Sequence, residues 1–278
     1  DWLAFRTVNW GASSAKTYTL NSGNTSNFEN LLGSDNDDTL TGDANANIII
    51  GAKGVDTING GAGNDTIWGD CSTSACKTLI SQNQSSYSLD ESYWGSSGKN
   101  DILNGGAGDD TIYGEIGDDT IDGGAGNDTI ISGSGSDVII ITSSSDSDTL
   151  SDFTDGTDAI GFDSSITSSN LVIAASGSDT VIKNGSDILL TLTGISSANV
   201  TAADLQSTST EAQTINGTSG NDILVGGAGN DTFNGGAGSD QLVGWGGDDT
   251  FNITSKSGSW TDTINGGSGT DILNVSYS

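Results

Sequence analysis

Between Gly105 and Ile131 the chain reads GGAGDDTIY, GEIGDDTID, GGAGNDTII, three consecutive nine-residue units on one skeleton. Each has glycine first and fourth, aspartate sixth (Asp110, Asp119, Asp128) and an apolar residue eighth (Ile112, Ile121, Ile130). Glycine accepts positive φ and lets backbone or ligand approach closely, so the first half of a unit is a tight turn. The second half is a very short strand with alternating faces. Its eighth residue enters a core, while the seventh and ninth face solvent. Two units then close one flat coil, and coils stack as parallel strands roughly 4.8 Å apart. The sixth-position carboxylates of every second unit therefore line up along one edge.

Such an edge repels itself. Unit charges about 4 Å apart interact by roughly 1 kcal/mol in water and about 4 kcal/mol at an effective dielectric near 20. A bound cation reverses the sign, and carboxylate and carbonyl oxygens are hard ligands that suit Ca²⁺, which accepts six to eight of them in flexible geometry. Mg²⁺ demands a stricter octahedron and keeps its waters.

Composition agrees. Among 278 residues, 37 acids face 7 Lys and Arg, for a formal charge of −30, and hydrophobic residues make up 32%. An acidic chain this poor in hydrophobes ordinarily reads as disordered. Here 33 of the acids are aspartate, most of them at repeat positions, so the charge is patterned for metal. Nucleic acid is excluded as a natural partner because no Lys/Arg cluster exists to meet phosphate, and an anionic membrane surface is disfavoured for the same reason. No apolar run approaches a membrane-spanning length, and no signal peptide is seen. Without any histidine, a Ser-His-Asp or Cys-His site is impossible. The adjacent acids Asp109/Asp110 and Asp248/Asp249 share turns and cannot flank one glycosidic bond. The chain is therefore expected to be non-catalytic.

In chain order, residues 1–32 are short strand-like pieces, expected to form an N-terminal β cap. Residues 33–146 form a first roll, whose second unit has Asn47 where aspartate is expected, predicting a weak or absent ion between it and Asp65. A segment at 69–95 interrupts the frame for three times nine residues and carries the only cysteines, Cys71 and Cys76, expected to pair as a local disulfide in an oxidising, extracellular setting. Tyr87, Tyr93 and Trp94 in the same loop either stack on a sugar or partner or fold back over the flank of the roll. Residues 147–210 change to alternating apolar runs between Gly-Ser and Asn-Gly turns, read as antiparallel hairpins that form a cap or linker. There Asp152, Asp155 and Asp158 are candidates for a further ion. Residues 211–278 form a second, shorter roll, with Phe233 and Phe251 filling its core differently. Both termini read as mid-repeat, as in an excerpt of a longer parent.

The chain as a whole resembles the repeats-in-toxin (RTX) family of calcium-binding parallel β-rolls, with hemolysin-type GGxGxDxUx repeats. The resemblance implies an all-β fold of tandem parallel, β-helix-like rolls stacked on Ca²⁺ turns, with small antiparallel caps. It implies structural calcium held by Asp38, Asp56, Asp65, Asp101, Asp110, Asp119, Asp128, Asp137 and Asp146. In the second roll the corresponding residues are Asp222, Asp231, Asp240, Asp249, Asp262 and Asp271. Main-chain oxygens of turn residues such as Gly60, Ala62, Asn64, Ala107, Asp109, Ala125 and Asn127 complete the expected shell. It further implies bacterial type I secretion as an unfolded chain, with folding on calcium outside the cell. The leading functional expectation is a calcium-dependent surface protein, of surface-layer or adhesin type, whose partners are calcium, copies of itself or a cell-surface polysaccharide. The alternatives are the non-catalytic part of a secreted RTX enzyme or toxin, or a polysaccharide-binding module.

Overall fold

The computed structural model describes residues 2–3, 17–20, 30–34, 36–71, 99–142, 146–162, 166, 171–254 and 260–276. The expected Cys76 and the aromatic residues Tyr87, Tyr93 and Trp94 lie outside them. The fold is an all-β parallel solenoid of about eleven turns, with a few antiparallel strands. The chain forms two compact units, Asp1–Ile140 with Asp146–Asp158, and Ile141–Ser145 with Ala159–Ser278.

In the first unit alternate nonapeptides feed two parallel sheets. One takes Asn30–Leu32, Ile48–Ala52, Thr66–Asp70, Thr111–Tyr113, Thr129–Ile131 and Asp148–Leu150. The other takes Thr17–Thr19, Thr39–Thr41, Thr57–Asn59, Ile102–Ala107, Thr120–Ala125 and Val138–Ile141. The interrupting segment costs the stack nothing in register. Thr57 pairs with Ile102 and Thr66 with Thr111, so the strands on either side of the excursion meet as neighbouring coils. Asp70 still belongs to the strand Thr66–Asp70, and Gly69 holds a repeat's first place. The described pieces of 1–32 are themselves parallel: Trp2–Leu3 pairs with Asn30–Leu31, and Thr17–Thr19 with Thr39–Thr41. They continue the sheets instead of covering them, because a short strand satisfies its backbone equally well with or without the aspartate turn.

Eighth-position residues of both sheets fill the interior, one row from each sheet. Leu40, Ile49, Ile58, Ile67, Leu103, Ile112, Ile121, Ile130, Ile139 and Leu150 are all buried. Each is in register with the same position one coil away, and the paired strands cannot close in on the hole a deletion would leave. Ile121→Ala should cost about 2–5 kcal/mol, read as a lowered urea midpoint in saturating calcium.

Solvent does not face both outer flanks as expected. In one sheet the ninth residues are polar at Thr41, Asn59, Asn104 and Asp122 and turn apolar only at Ile140; in the other they are Leu32, Ile50, Trp68, Tyr113 and Ile131. On that flank Leu32, Ile50, Ala52, Trp68 and Cys71 form a second buried cluster, outside the roll, and the Trp68 and Tyr113 rings stack 5.0 Å apart. Alternate units present to opposite sides, so a repeat that looks uniform along the chain builds one wet and one apolar flank.

The second unit repeats the plan with Thr214–Asn216, Thr232–Asn234, Thr250–Thr254 and Ile272–Ser276 in one sheet and Ile223–Val225, Gln241–Val243 and Thr263–Asn265 in the other. Its core holds Ile215, Leu224, Phe233, Leu242 and Phe251, and the two phenylalanine rings stack 4.7 Å apart. Aromatic stacking here replaces the aliphatic rows of the first unit. Ninth-position amides form a ladder, Asn234 to Asn216, Asn252 to Asn234 and Asn274 to Asn252. Leu171–Ser176, Asp179–Asn184 and Asp187–Leu192 are the antiparallel hairpins, turning at Gly177 and Gly185 with φ of 69° and 63°. Among the described residues no helix is long and apolar enough to cross a membrane.

Candidate metal centre

Stacking places the sixth-position carboxylates in columns, and one hydrogen bond defines each step. The backbone N–H of one sixth residue donates to Oδ1 of the sixth residue in the next coil. Asp38 donates to Asp56, Asp56 to Asp101, Asp101 to Asp119, and Asp119 to Asp137, at 2.7–2.9 Å. Asp137 then donates to Asp158 at 3.2 Å. Along the other edge Asn47 donates to Asp65, Asp65 to Asp110, Asp110 to Asp128, and Asp128 to Asp148. In the second unit Gln213 donates to Asp231, Asp231 to Asp249 and Asp249 to Asp271, while Asp222 donates to Asp240 and Asp240 to Asp262.

Where a turn lengthens, the column is held by a residue that counting in nines does not select. Asp148, not Asp146, follows Asp128, because Thr149 and Leu150 pair with Thr129 and Ile130 and thereby set the register. Asp146 accepts the Gly126 N–H instead. Asp158 closes the other edge, and Asp152 accepts the Ser132 and Gly133 N–H groups; Asp155 is exposed.

The second carboxylate oxygens are what call for a cation. Oδ2 of Asp56, Asp65, Asp101, Asp110, Asp119, Asp128, Asp137 and Asp249 is buried with no hydrogen-bond donor. Leaving such an atom unmet costs roughly 1–3 kcal/mol, and more when charged. Desolvation raises these acids well above the usual carboxylate range: Asp110 and Asp137 to about 6, Asp65 and Asp119 to about 7, Asp56 to about 8 and Asp101 to about 9. The column N–H bond works against the rise, and neighbouring aspartates add to it. A hard divalent cation would relieve both the orphaned oxygens and the repulsion, and oxygen-only donors on stacked turns fit Ca²⁺. When bound, it supplies two positive charges and no redox or acid–base chemistry.

First-position glycines make room for this arrangement. A Cβ on Gly105 would strike the Gly123 carbonyl and Asp110 Oδ2, and one on Gly60 would strike the Gly105 carbonyl and Asp65 Oδ2. Gly105→Ala should therefore raise the calcium midpoint for folding and destabilise the loaded roll by about 1–3 kcal/mol, read by circular dichroism across a calcium titration.

The expected main-chain donors lie in these turns with partners of their own. Ala62 bridges to Ala107. The Ala107 carbonyl accepts the Gly63 N–H at 2.6 Å, and that of Ala125 accepts the Gly108 N–H at 2.7 Å. A carbonyl oxygen has two lone pairs, so each retains one for an ion. Asn64, Asp109 and Asn127 also form a ladder absent from the sequence reading: the side-chain oxygen of each fifth residue accepts a backbone N–H from the next coil. Its signal was the recurrence of Asn or Asp just before the sixth position. Asn47 keeps its place in the column, with Oδ1 accepting the Asp43 N–H. Asp43, Asp70 and Glu115, acids at second positions, were also overlooked.

Turns of this kind, repeated in phase, match the RTX calcium-binding nonapeptide repeat over residues 25–58, 32–67, 96–130, 104–139, 113–150, 216–251 and 261–275, more than half of the chain. The chain belongs to that family. Calcium ions are accordingly its partners, and RTX repeats are typical of secreted proteins. No curated protein matches the RTX chain in sequence. Among solved structures it is similar to the solution structure of the AlgE6R3 subunit from the Azotobacter vinelandii mannuronan C5-epimerase, at 20% identity. That likeness covers 62% of this chain and 79% of the other, with a TM-score of 0.30.

Proposed function

We propose that this RTX chain is a calcium-dependent structural and adhesive module of a larger secreted bacterial protein, of surface-layer or adhesin type, which folds on calcium after type I export. The observation that supports it is the file of buried, donorless Oδ2 atoms: a chain built this way is strained without calcium and braced with it. Extracellular calcium modules bind at about 10⁻⁴ to 10⁻³ M, so the same sequence stays unfolded where calcium is scarce and becomes rigid outside the cell. A non-catalytic role fits the lack of histidine and the engagement of the buried acids in the columns.

Sedimentation velocity and circular dichroism, run in about 5 mM calcium and in excess EGTA, test this reading. Folded particles or ordered assemblies are expected in calcium, and expanded single chains in EGTA. Identical behaviour in both buffers would remove it.

A further inference from the structure

The glycine turn 226–229 of the second roll rests on a turn of the same course that contains no glycine, 208–213. A Cβ on Gly227 would strike the Ser209 carbonyl, and one on Gly229 the Glu211 backbone, so the two turns are closely stacked. The Ala228 and Thr232 N–H groups donate to the Ser209 and Gln213 carbonyls at 2.8 Å, as one repeat turn bonds to the next. Hydroxyls set this course in place of glycine: Ser207 Oγ accepts the Ser209 N–H, and Ser209 Oγ accepts the Glu211 N–H. Gln213 holds the sixth place, so the turn brings no column aspartate.

The residues leading into that turn grip the roll from its side. Leu205–Ser207 pairs in parallel with Ala159–Phe162, and Leu205 is fully buried. Before it, the single 3₁₀ turn Ala202–Asp204 is closed by reciprocal bonds between Thr201 and Asp204. This turn lies against Ile223–Val225 and Gln241–Val243, whose outward ninth residues Val225 and Val243 are only 1% and 6% exposed. Two side chains of the roll reach back to it. Gln241 Oε1 accepts the Ala202 N–H at 3.3 Å, and Trp245 Nε1 donates to the Leu205 carbonyl at 2.7 Å. The turn carrying Trp245 sits on 226–229, where the Gly246 N–H donates to the Gly227 carbonyl, so the indole spans a whole layer to reach Leu205. Trp245 does so at a φ of 70°, in the place that Gly236 and Gly267 fill at 82° and 85°. A bulky residue in that conformation is strained and persists where its contacts hold it there.

We propose that 171–213 is a calcium-independent template for the second roll, and that Trp245, with Gln241, latches the first coils onto it. A repeat coil contacts only its neighbours, so the first coil of a stack has nothing to bond against unless a capping element supplies it. Here the cap is stabilised by apolar burial, with Leu171, Ile182, Leu190, Leu192 and Leu205 at 0–4% exposure, and so it needs no ion to form. This assignment rests on calcium-driven folding of the repeats and not on any adhesive role.

Hydrogen exchange of the full chain, read by mass spectrometry in EGTA and in saturating calcium, tests it. In EGTA the amides of 171–207 should stay protected while those of 214–276 exchange as in an unfolded chain. Trp245→Phe removes the N–H and keeps a ring; Trp245→Gly restores the repeat's own residue and relieves the backbone. Loss of the latch bond should make the slowest amides of 214–276 exchange about fivefold faster in calcium in both variants, with the first roll unchanged. Free exchange of 171–207 in EGTA overturns the template. Unchanged or slower exchange of 214–276 in Trp245→Gly, or equal acceleration in both rolls, overturns the latch. Each of these leaves calcium-dependent folding intact, whereas a native chain whose 214–276 amides are equally protected in both buffers removes both readings.

Discussion

Excess EGTA should abolish the parallel-sheet dichroism of the calcium-loaded chain, and restoring millimolar calcium should return it. At ten times its dissociation constant a bound ion contributes roughly 1.4 kcal/mol by mass action. Eight orphaned Oδ2 atoms mark turns where such ions act, and a domain's entire stability is only about 5–15 kcal/mol. Ion removal also restores the repulsion along each column and leaves the glycine turns, which lose most entropy on folding, without compensation. The expected transition is therefore cooperative in calcium and large enough to unfold both rolls. A β signal that survives EGTA would show that the aliphatic rows alone hold the coils together.

Without calcium, acidification should restore structure. Asp56, Asp101, Asp119 and Asp148 are raised to about 8, 9, 7 and 7 in the folded chain, chiefly by burial, against about 3.8 when unfolded. A carboxyl with the higher pKa in the folded state binds more protons folded than unfolded. Its contribution is fully present below about pH 3.8 and is lost as pH rises through about 7 to 9. In EGTA the β signal should thus grow between pH 8 and pH 4.5. With calcium the sign reverses, because protons compete for the same oxygens: the calcium midpoint should rise by more than about tenfold from pH 8 to pH 5. A β signal in EGTA that is flat or falls on acidification would mean that the buried acids do not limit the ion-free fold.

How far the fold was legible follows from which interactions are local. The eighth-position rows and the sixth-position columns could be read directly, since a period of nine with glycine first and fourth permits only one kind of coil. Gly69, Asp101 and the strands either side of the excursion kept their phase because pairing of Thr57 with Ile102 tolerates any length of chain between them. Counting failed at Asp146 and succeeded only loosely at Asp158, where turns gain residues and strand register, not spacing, selects the acid.

The sequence by itself determined the coil, its core and its appetite for calcium, because these repeat within each unit and need only backbone geometry and charge. Tertiary structure alone decided that Leu32, Ile50 and Trp68 share a buried outer flank and that Asp148, not Asp146, continues the column from Asp128. Both are contacts between residues a coil or more apart, which exist only once the strands have stacked.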